Sequence, residues 1–170
     1  MYKRNVETQR LRRNRRSRTG NGVHSKSFKR GKSERKIIEL IKKYQRPTSF
    51  NHAPFTVKEK THAQQELGVT LPKEYVAFLD RYGHGGLDGF EILDIGLDGS
   101  NIFLEATLEY RKHGLPKNLV VIENRDEWLE CLDCDNGEVV SWSMNSDIVP
   151  TAPIFDDFLL DEIENAIDNM

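Results

Sequence analysis

Apolar residues carry no periodic signal over residues 1–32 and then return in blocks whose spacing changes along the chain. Ile37, Ile38, Leu40, Ile41 and Tyr44 form a broad apolar stripe at helical spacing, which predicts a helix capped by Ser33 and ending near Tyr44. Pro47 and Pro54 bracket a loop. Thr56 followed by Glu59 is the Thr-x-x-Glu capping-box pattern, so a second helix of about eleven residues is expected there. It is mostly polar, with Val57, Ala63 and Leu67 as its inward positions. Gly68 suits the left-handed residue that closes it. Next, Tyr75, Phe78, Leu79 and Tyr82 recur at i, i+3, i+4 and i+7, with Val76 beside them and Lys73, Glu74, Asp80 and Arg81 on the wet face. Thr70 is the candidate N-cap of this third helix, Pro72 lies in its first turn, and Gly83, Gly85 and Gly86 stop it. Three glycines in four residues imply a sharp turn against some other part of the domain.

Beyond that turn the period shortens. Phe90 to Ile95 is expected as a strand, followed by a turn over residues 97–100. Asn101 to His113 reads as a helix with Ile102, Phe103, Leu104 and Leu108 inward and Gly114 as its C-cap. The β-branched run Leu119–Glu123 predicts a strand buried on both faces. Strands over residues 128–132 and 138–142 flank Asn136-Gly137, a hairpin signal because both residues tolerate positive φ. After Pro150 and Pro153 an amphipathic helix closes the chain, with Ile154, Phe158, Ile163 and Ile167 among its buried positions. The sum is one α+β domain over residues 33–170, a mostly antiparallel central sheet flanked by helices.

Charge divides the chain more sharply than hydropathy does. Residues 1–36 hold 14 Lys/Arg against Glu7 and Glu34, a net of +12, whereas residues 37–170 hold 11 against 25 acids, a net of −14. From residue 123 onward Arg125 is the only Lys or Arg. The formal net charge of −2 thus averages a basic arm with an acidic globule. Residues 1–32 cannot bury enough apolar surface to offset chain entropy, and are expected to be a disordered basic N-terminal arm. Arg12, Arg13, Arg15, Arg16 and Arg18 could neutralise several phosphates, though the plainer reading is a solvated tail lying on the acidic body, since no base-reading fold accompanies them. There is no apolar run long enough for a transmembrane helix and none behind the N-terminal charges to suggest a secretory signal. With only Cys131 and Cys134 as cysteines, a cytoplasmic location is expected.

The motifs that suggest chemistry are weak when weighed one at a time. Cys131-x-x-Cys134 lacks two further ligands at zinc-site spacing, and it falls at a strand end where no helix N-terminus lowers a thiol pKa. Gly83-x-Gly85-Gly86 follows a helix and precedes a strand, the reverse of a phosphate-binding loop. Ser141 and Ser143 have no histidine placed beside them by any motif. The expectation is a protein without catalytic residues, bound metal or cofactor.

A family resemblance rests on four ordered segments. Leu71-Pro72, Tyr75, Phe78-Leu79 and Tyr82-Gly83 with Gly85-Gly86 resemble the signature helix of the SUKH superfamily, bacterial immunity proteins related to fungal cell-wall-synthesis regulators. Glu91-Ile92-Leu93, Leu119–Glu123, and the pair Cys131–Cys134 with Asp135–Trp142 are similar to the family's first strand, central strand and hairpin. Cys134 stands where these proteins usually have threonine or serine. The likeness covers about residues 50–170, leaves the arm outside, and is nearest to the YobK-type immunity proteins. It implies a binding protein that neutralises a cognate polymorphic toxin, often a nuclease, by occluding its basic active-site surface. Acids around the sheet and its loops are the expected toxin contacts: Glu91, Asp94, Asp98, Asp133, Asp135 and Glu138. Two other functions compete: a nucleic-acid-associated protein using the arginine arm, and a scaffold or regulatory module like the fungal relatives. Oligomeric state stays open.

Overall fold

A computed structural model describes residues 25–170 of the chain, with side chains from residue 31 onward. The five arginines of the arm lie outside the described residues. Helix α1, Ser25–Tyr44, starts eight residues before the expected Ser33 cap, and buries Ile37 and Ile41. Thr56 caps α2, Val57–Leu67, with both halves of the capping box in place: Glu59 N–H donates to Thr56 Oγ1 and Thr56 N–H donates to Glu59 Oε2. Val57, expected inward, is 82% exposed, because the buried stripe of α2 is only Ala63 and Leu67. Gly68 closes the helix at φ 67°.

Helix α3, Lys73–Tyr82, begins directly after Pro72, with no side-chain cap; Thr70 is exposed and does not serve as one. Its aromatic face builds the centre of the core. Tyr75 packs edge-on against Phe103 and Phe155, and its hydroxyl donates to Leu93 O at 2.7 Å. Phe78 and Tyr82 enclose Phe50 from the loop before α2. The glycine turn meets that same loop. Gly86 N–H donates to Ser49 O, and Asn51 N–H to His84 O. A Cβ on Gly85, at φ 139°, would sit 2.1 Å from Ser49 O, so backbone approach excludes any side chain there.

The expected strand over residues 90–95 does not form a ladder. Ile92 pairs only with Gly85, Leu93 N–H reaches Ile122 O at 2.9 Å, and Ile95 pairs only with Asn101; successive residues bond to different neighbours. Helix α4, Ile102–Arg111, is capped by Asn101 Oδ1 accepting from Leu104 N–H, and it ends ahead of the expected Gly114. It buries Phe103, Leu104 and Thr107 while Leu108 faces solvent, a rotation of the inward face from the expected one.

Four strands follow: β1 Leu119–Asn124, β2 Leu129–Asp133, β3 Val139–Trp142 and β4 Val149–Ala152, antiparallel in that spatial order. β1 is buried on both faces through Glu123. The β2–β3 connection is wider than a two-residue turn: Gly137 takes φ 80°, Asn136 stays at negative φ, and Asn136 Oδ1 accepts from Glu138 N–H. β4 has no counterpart among the expected elements: Pro150, read above as leading into the last helix, lies in a strand at the sheet edge, beside a register shift between Val139 and Val140. Helix α5, Phe155–Asp168, packs on α1 and buries Phe155, Phe158, Leu159 and Ile163. The fold is α+β, as expected.

Candidate functional site

The six acids singled out above do not form one surface. Asp133, Asp135 and Glu138 lie where β2 turns into β3, the end of the sheet at which Asp133 faces Leu119. Asp133 is engaged in the turn itself: its Oδ1 accepts from Asn118 Nδ2 at 2.9 Å and from Asp135 N–H at 3.0 Å. Asp135 is exposed and Glu138 half-buried. Asp98 is exposed and holds its own turn, accepting from Ser100 N–H and Ser100 Oγ; those bonds keep its carboxyl below the usual range. Glu91 is exposed and accepts from His84 Nε2 at 2.8 Å, while His84 Nδ1 accepts the Asp94 N–H at 3.2 Å. These two bonds place the imidazole proton on Nε2.

Asp94 corrects the surface reading: it is fully buried. Its backbone is held from both sides, by the Asp94 N–H bond to His84 and by Ile102 N–H donating to Asp94 O at 2.9 Å, so the side chain is carried inward between Leu93 and Ile95. Neither carboxyl oxygen has a hydrogen bond of ordinary geometry. Burial pushes its pKa up to about 7; the Ile95 N–H offsets part of this, and Glu59 and Asp80 add to it. A side chain buried in this way does not reach a partner's surface.

Sequence reasoning passed over a second set of acids. Glu123, Glu130 and Glu162 are all buried. Arg125 Nε forms an ion pair with Glu123 Oε1 at 2.9 Å, its Nη2 pairs with Glu162 Oε2, and its Nη1 donates to Gly89 O at 3.1 Å. Burial opposes the guanidinium charge, but Glu162, Glu123 and Glu130 outweigh it and hold Arg125 above its ordinary pKa. Glu130 accepts from Trp128 Nε1, Ser141 Oγ and Thr151 Oγ1. The available signal was Glu123 and Glu130 inside otherwise apolar strands, near the one basic residue after position 122. Charged residues are almost never fully buried unless paired.

The cysteines are free, Cys131 buried and Cys134 half-buried. Burial raises both thiols, Cys134 to about 12 with Asp133 and Asp135 adding to the rise. Both thiols are thus held toward the protonated form, which disfavours a nucleophilic role. Among the described residues no cluster of His, Cys, Asp and Glu is arranged to hold a metal ion, and no helix is long and apolar enough to cross a membrane. A groove of about 380 Å³ opens between α1, α3 and α5, with Ile37, Phe78 and Leu159 on its floor and Glu34, Lys73 and Arg81 along its rim. Its rim mixes both signs of charge and selects for neither.

Two comparisons bear on this arrangement. A solved structure titled "Crystal structure of protein from Pseudomonas syringae pv. tomato" superposes with a TM-score of 0.53 at 18% sequence identity, covering 67% of this chain and 88% of that one. At that identity the likeness is one of fold. The SUKH_5 family model, described as SMI1-KNR4 cell-wall, matches residues 35–164, from within α1 to within α5. The match spans the signature helix, its glycine turn and the whole sheet, and the chain belongs to the SUKH family.

Proposed function

We propose that the protein is an immunity protein: it binds the toxic domain of a cognate polymorphic toxin and blocks it by occupation, with no turnover. A nuclease fits best as the toxin. Such an enzyme must present a basic surface to phosphate, and an acidic globule that competes for that surface associates quickly and shields the cleft. The observation that carries this reading is the net charge of −14 over residues 37–170, on a chain of the SUKH family. Action in the cytoplasm, on toxin that would otherwise reach the producer's own nucleic acid, belongs to the same proposal.

The direct test co-expresses the full chain with the C-terminal domain of the protein encoded by the neighbouring gene. Survival of the cells, together with a nanomolar dissociation constant for the purified pair, is the expected outcome. Cell death with no complex at micromolar concentration would refute it. The runner-up reading, polyanion binding through Arg12, Arg13, Arg15, Arg16 and Arg18, has the net +12 of residues 1–36 in its favour. It requires a gel shift with RNA or DNA that weakens steeply with salt.

A further inference from the structure

The two ends of the sheet differ in chemistry. At the Asp133 end the acids are partly committed to turns, and the loop over residues 134–137 carries no large exposed apolar side chain. The opposite end is built differently. Asn124 faces Leu129, Leu129 faces Trp142, and Ser141 faces Val149, so the β1–β2 loop (residues 125–128) lies beside the β3–β4 loop (residues 143–148). Met144 is 56% exposed and Ile148 45% exposed on the second of these loops, with half-buried Trp128 on the first. Asp126, Glu127 and Asp147 stand exposed on the same two loops. The other large exposed apolar residues among those described fall on four separate segments: Val57 on α2, Leu97 in a turn, Leu108 on α4 and Met170 at the terminus.

Arg125 fixes the first of these loops and leaves this end without a free cation. It ties the β1–β2 loop to Glu162 of α5 and to the Gly89 carbonyl. Its charge is absorbed by Glu123 and Glu162, and neither loop carries another Lys or Arg. What faces solvent is a pair of neighbouring loops bearing exposed Met144 and Ile148, half-buried Trp128 and three exposed acids, the first loop held in place by Arg125. That is the anatomy of a protein interface, where desolvated apolar and aromatic anchors supply affinity and peripheral charges supply rate. The acids repel nucleic acid and anionic lipid alike.

We propose that the loops over residues 125–128 and 143–148 form the surface that docks a basic protein domain, with Met144, Ile148 and Trp128 as the apolar contact and Asp126, Glu127 and Asp147 as the steering charges. This rests on the toxin-binding reading and assigns its face. The face lies at the opposite end of the sheet from Asp133, Asp135 and Glu138.

The test uses the full chain against the C-terminal domain of the protein encoded by the neighbouring gene, with association and dissociation rates followed separately. The double variant Met144→Ala/Ile148→Ala speeds dissociation about tenfold or more. Glu127→Lys/Asp147→Lys slows association about tenfold at low salt and flattens its salt dependence. Asp135→Lys/Glu138→Lys, at the other end of the sheet, changes either rate by less than about threefold. All six side chains lie on the surface or in turns, and unchanged thermal melts confirm that the variants fold. If both tip variants bind like wild type, or the Asp135/Glu138 variant weakens binding as much as they do, the face is wrong while the immunity reading stands. If wild type itself neither binds nor protects, the immunity reading falls and takes this assignment with it.

Discussion

At the scale of single residues, Asp94 offers the sharpest test of the core. Its folded pKa of about 7 stands above the ordinary 3.8, so the folded state holds this proton more tightly than the unfolded chain does. Its stabilising contribution is therefore complete below about pH 4, declines as pH rises through the window from 4 to 7, and is gone above it. The groups that set the shift are burial first, then Glu59 on α2 and Asp80 on α3, with Ile95 N–H opposing. Asp94→Asn removes the titration while keeping the shape. The variant is expected to gain stability over wild type as pH rises, by up to about 4 kcal/mol at pH 8. Urea midpoints of both proteins at pH 5 and pH 8 provide the check, because the slopes from all other carboxylates cancel in the difference. Parallel midpoints at the two pH values would show that the buried acid is ionised throughout. Nothing in the pattern Ile92-Leu93-Asp94-Ile95 marks the acid as buried. By sequence it counts among the acids around the sheet, on a strand that is not there: the segment bonds to Gly85, Ile122 and Asn101 in turn.

Among elements, the junction of α4 with β1 shows how a helix can be predicted and its inward face still missed. Leu108 looks apolar enough to point inward, and Thr107 does not. In the structure Thr107 is fully buried because β1 needs it there. The register of β1 against β2 shifts between Val121 and Glu123, and Thr107 Oγ1 accepts the Val121 N–H at 3.0 Å while donating its own proton to Phe103 O at 2.7 Å. Thr107→Val keeps the volume and leaves that N–H without its acceptor. It is expected to cost about 1–3 kcal/mol, whereas Thr107→Ser retains the bond and loses only a methyl group's packing. Denaturant midpoints of the two variants separate these effects; equal losses would mean that packing, not the hydrogen bond, holds the junction. The same distinction explains what was legible. Elements with strong local signals came through: the Thr56–Glu59 capping box, the aromatic stripe of α3 and the apolar run of β1 match the structure closely. Features decided by another part of the chain did not: the burial of Thr107, the edge strand β4 with its Pro150, and the exposure of Val57. Bulges and edge positions depend on partners that a local window does not contain.

For the whole molecule, the separation of charge was legible from residue counts, but the arrangement of the acids within the body was not. Counting treats Glu123, Glu130 and Glu162 as equal to Glu127 and Asp147, although the first three are buried around Arg125 and strand β3, and the last two face solvent. The charge available to a partner is thus smaller than the formal net and is divided between helix surfaces and loops. Under the polyanion-binding proposal the basic residues ahead of α1 act in the opposite sense, attracting polyanions and competing for the acids that would steer a basic partner. Replacing Arg12, Arg13, Arg15, Arg16 and Arg18 with glutamine in the full chain separates the two proposed functions. For an immunity protein, the substituted chain still protects cells from the toxin domain, and its association rate at low salt is unchanged or higher. For a polyanion-binding protein, gel-shift affinity at about 50 mM salt falls by orders of magnitude, because up to five phosphate contacts are lost together. Retained protection with lost nucleic-acid binding would make the arm an accessory to a toxin-binding body. Lost protection would place the arm within the interface and would require the toxin to present acid as well as base.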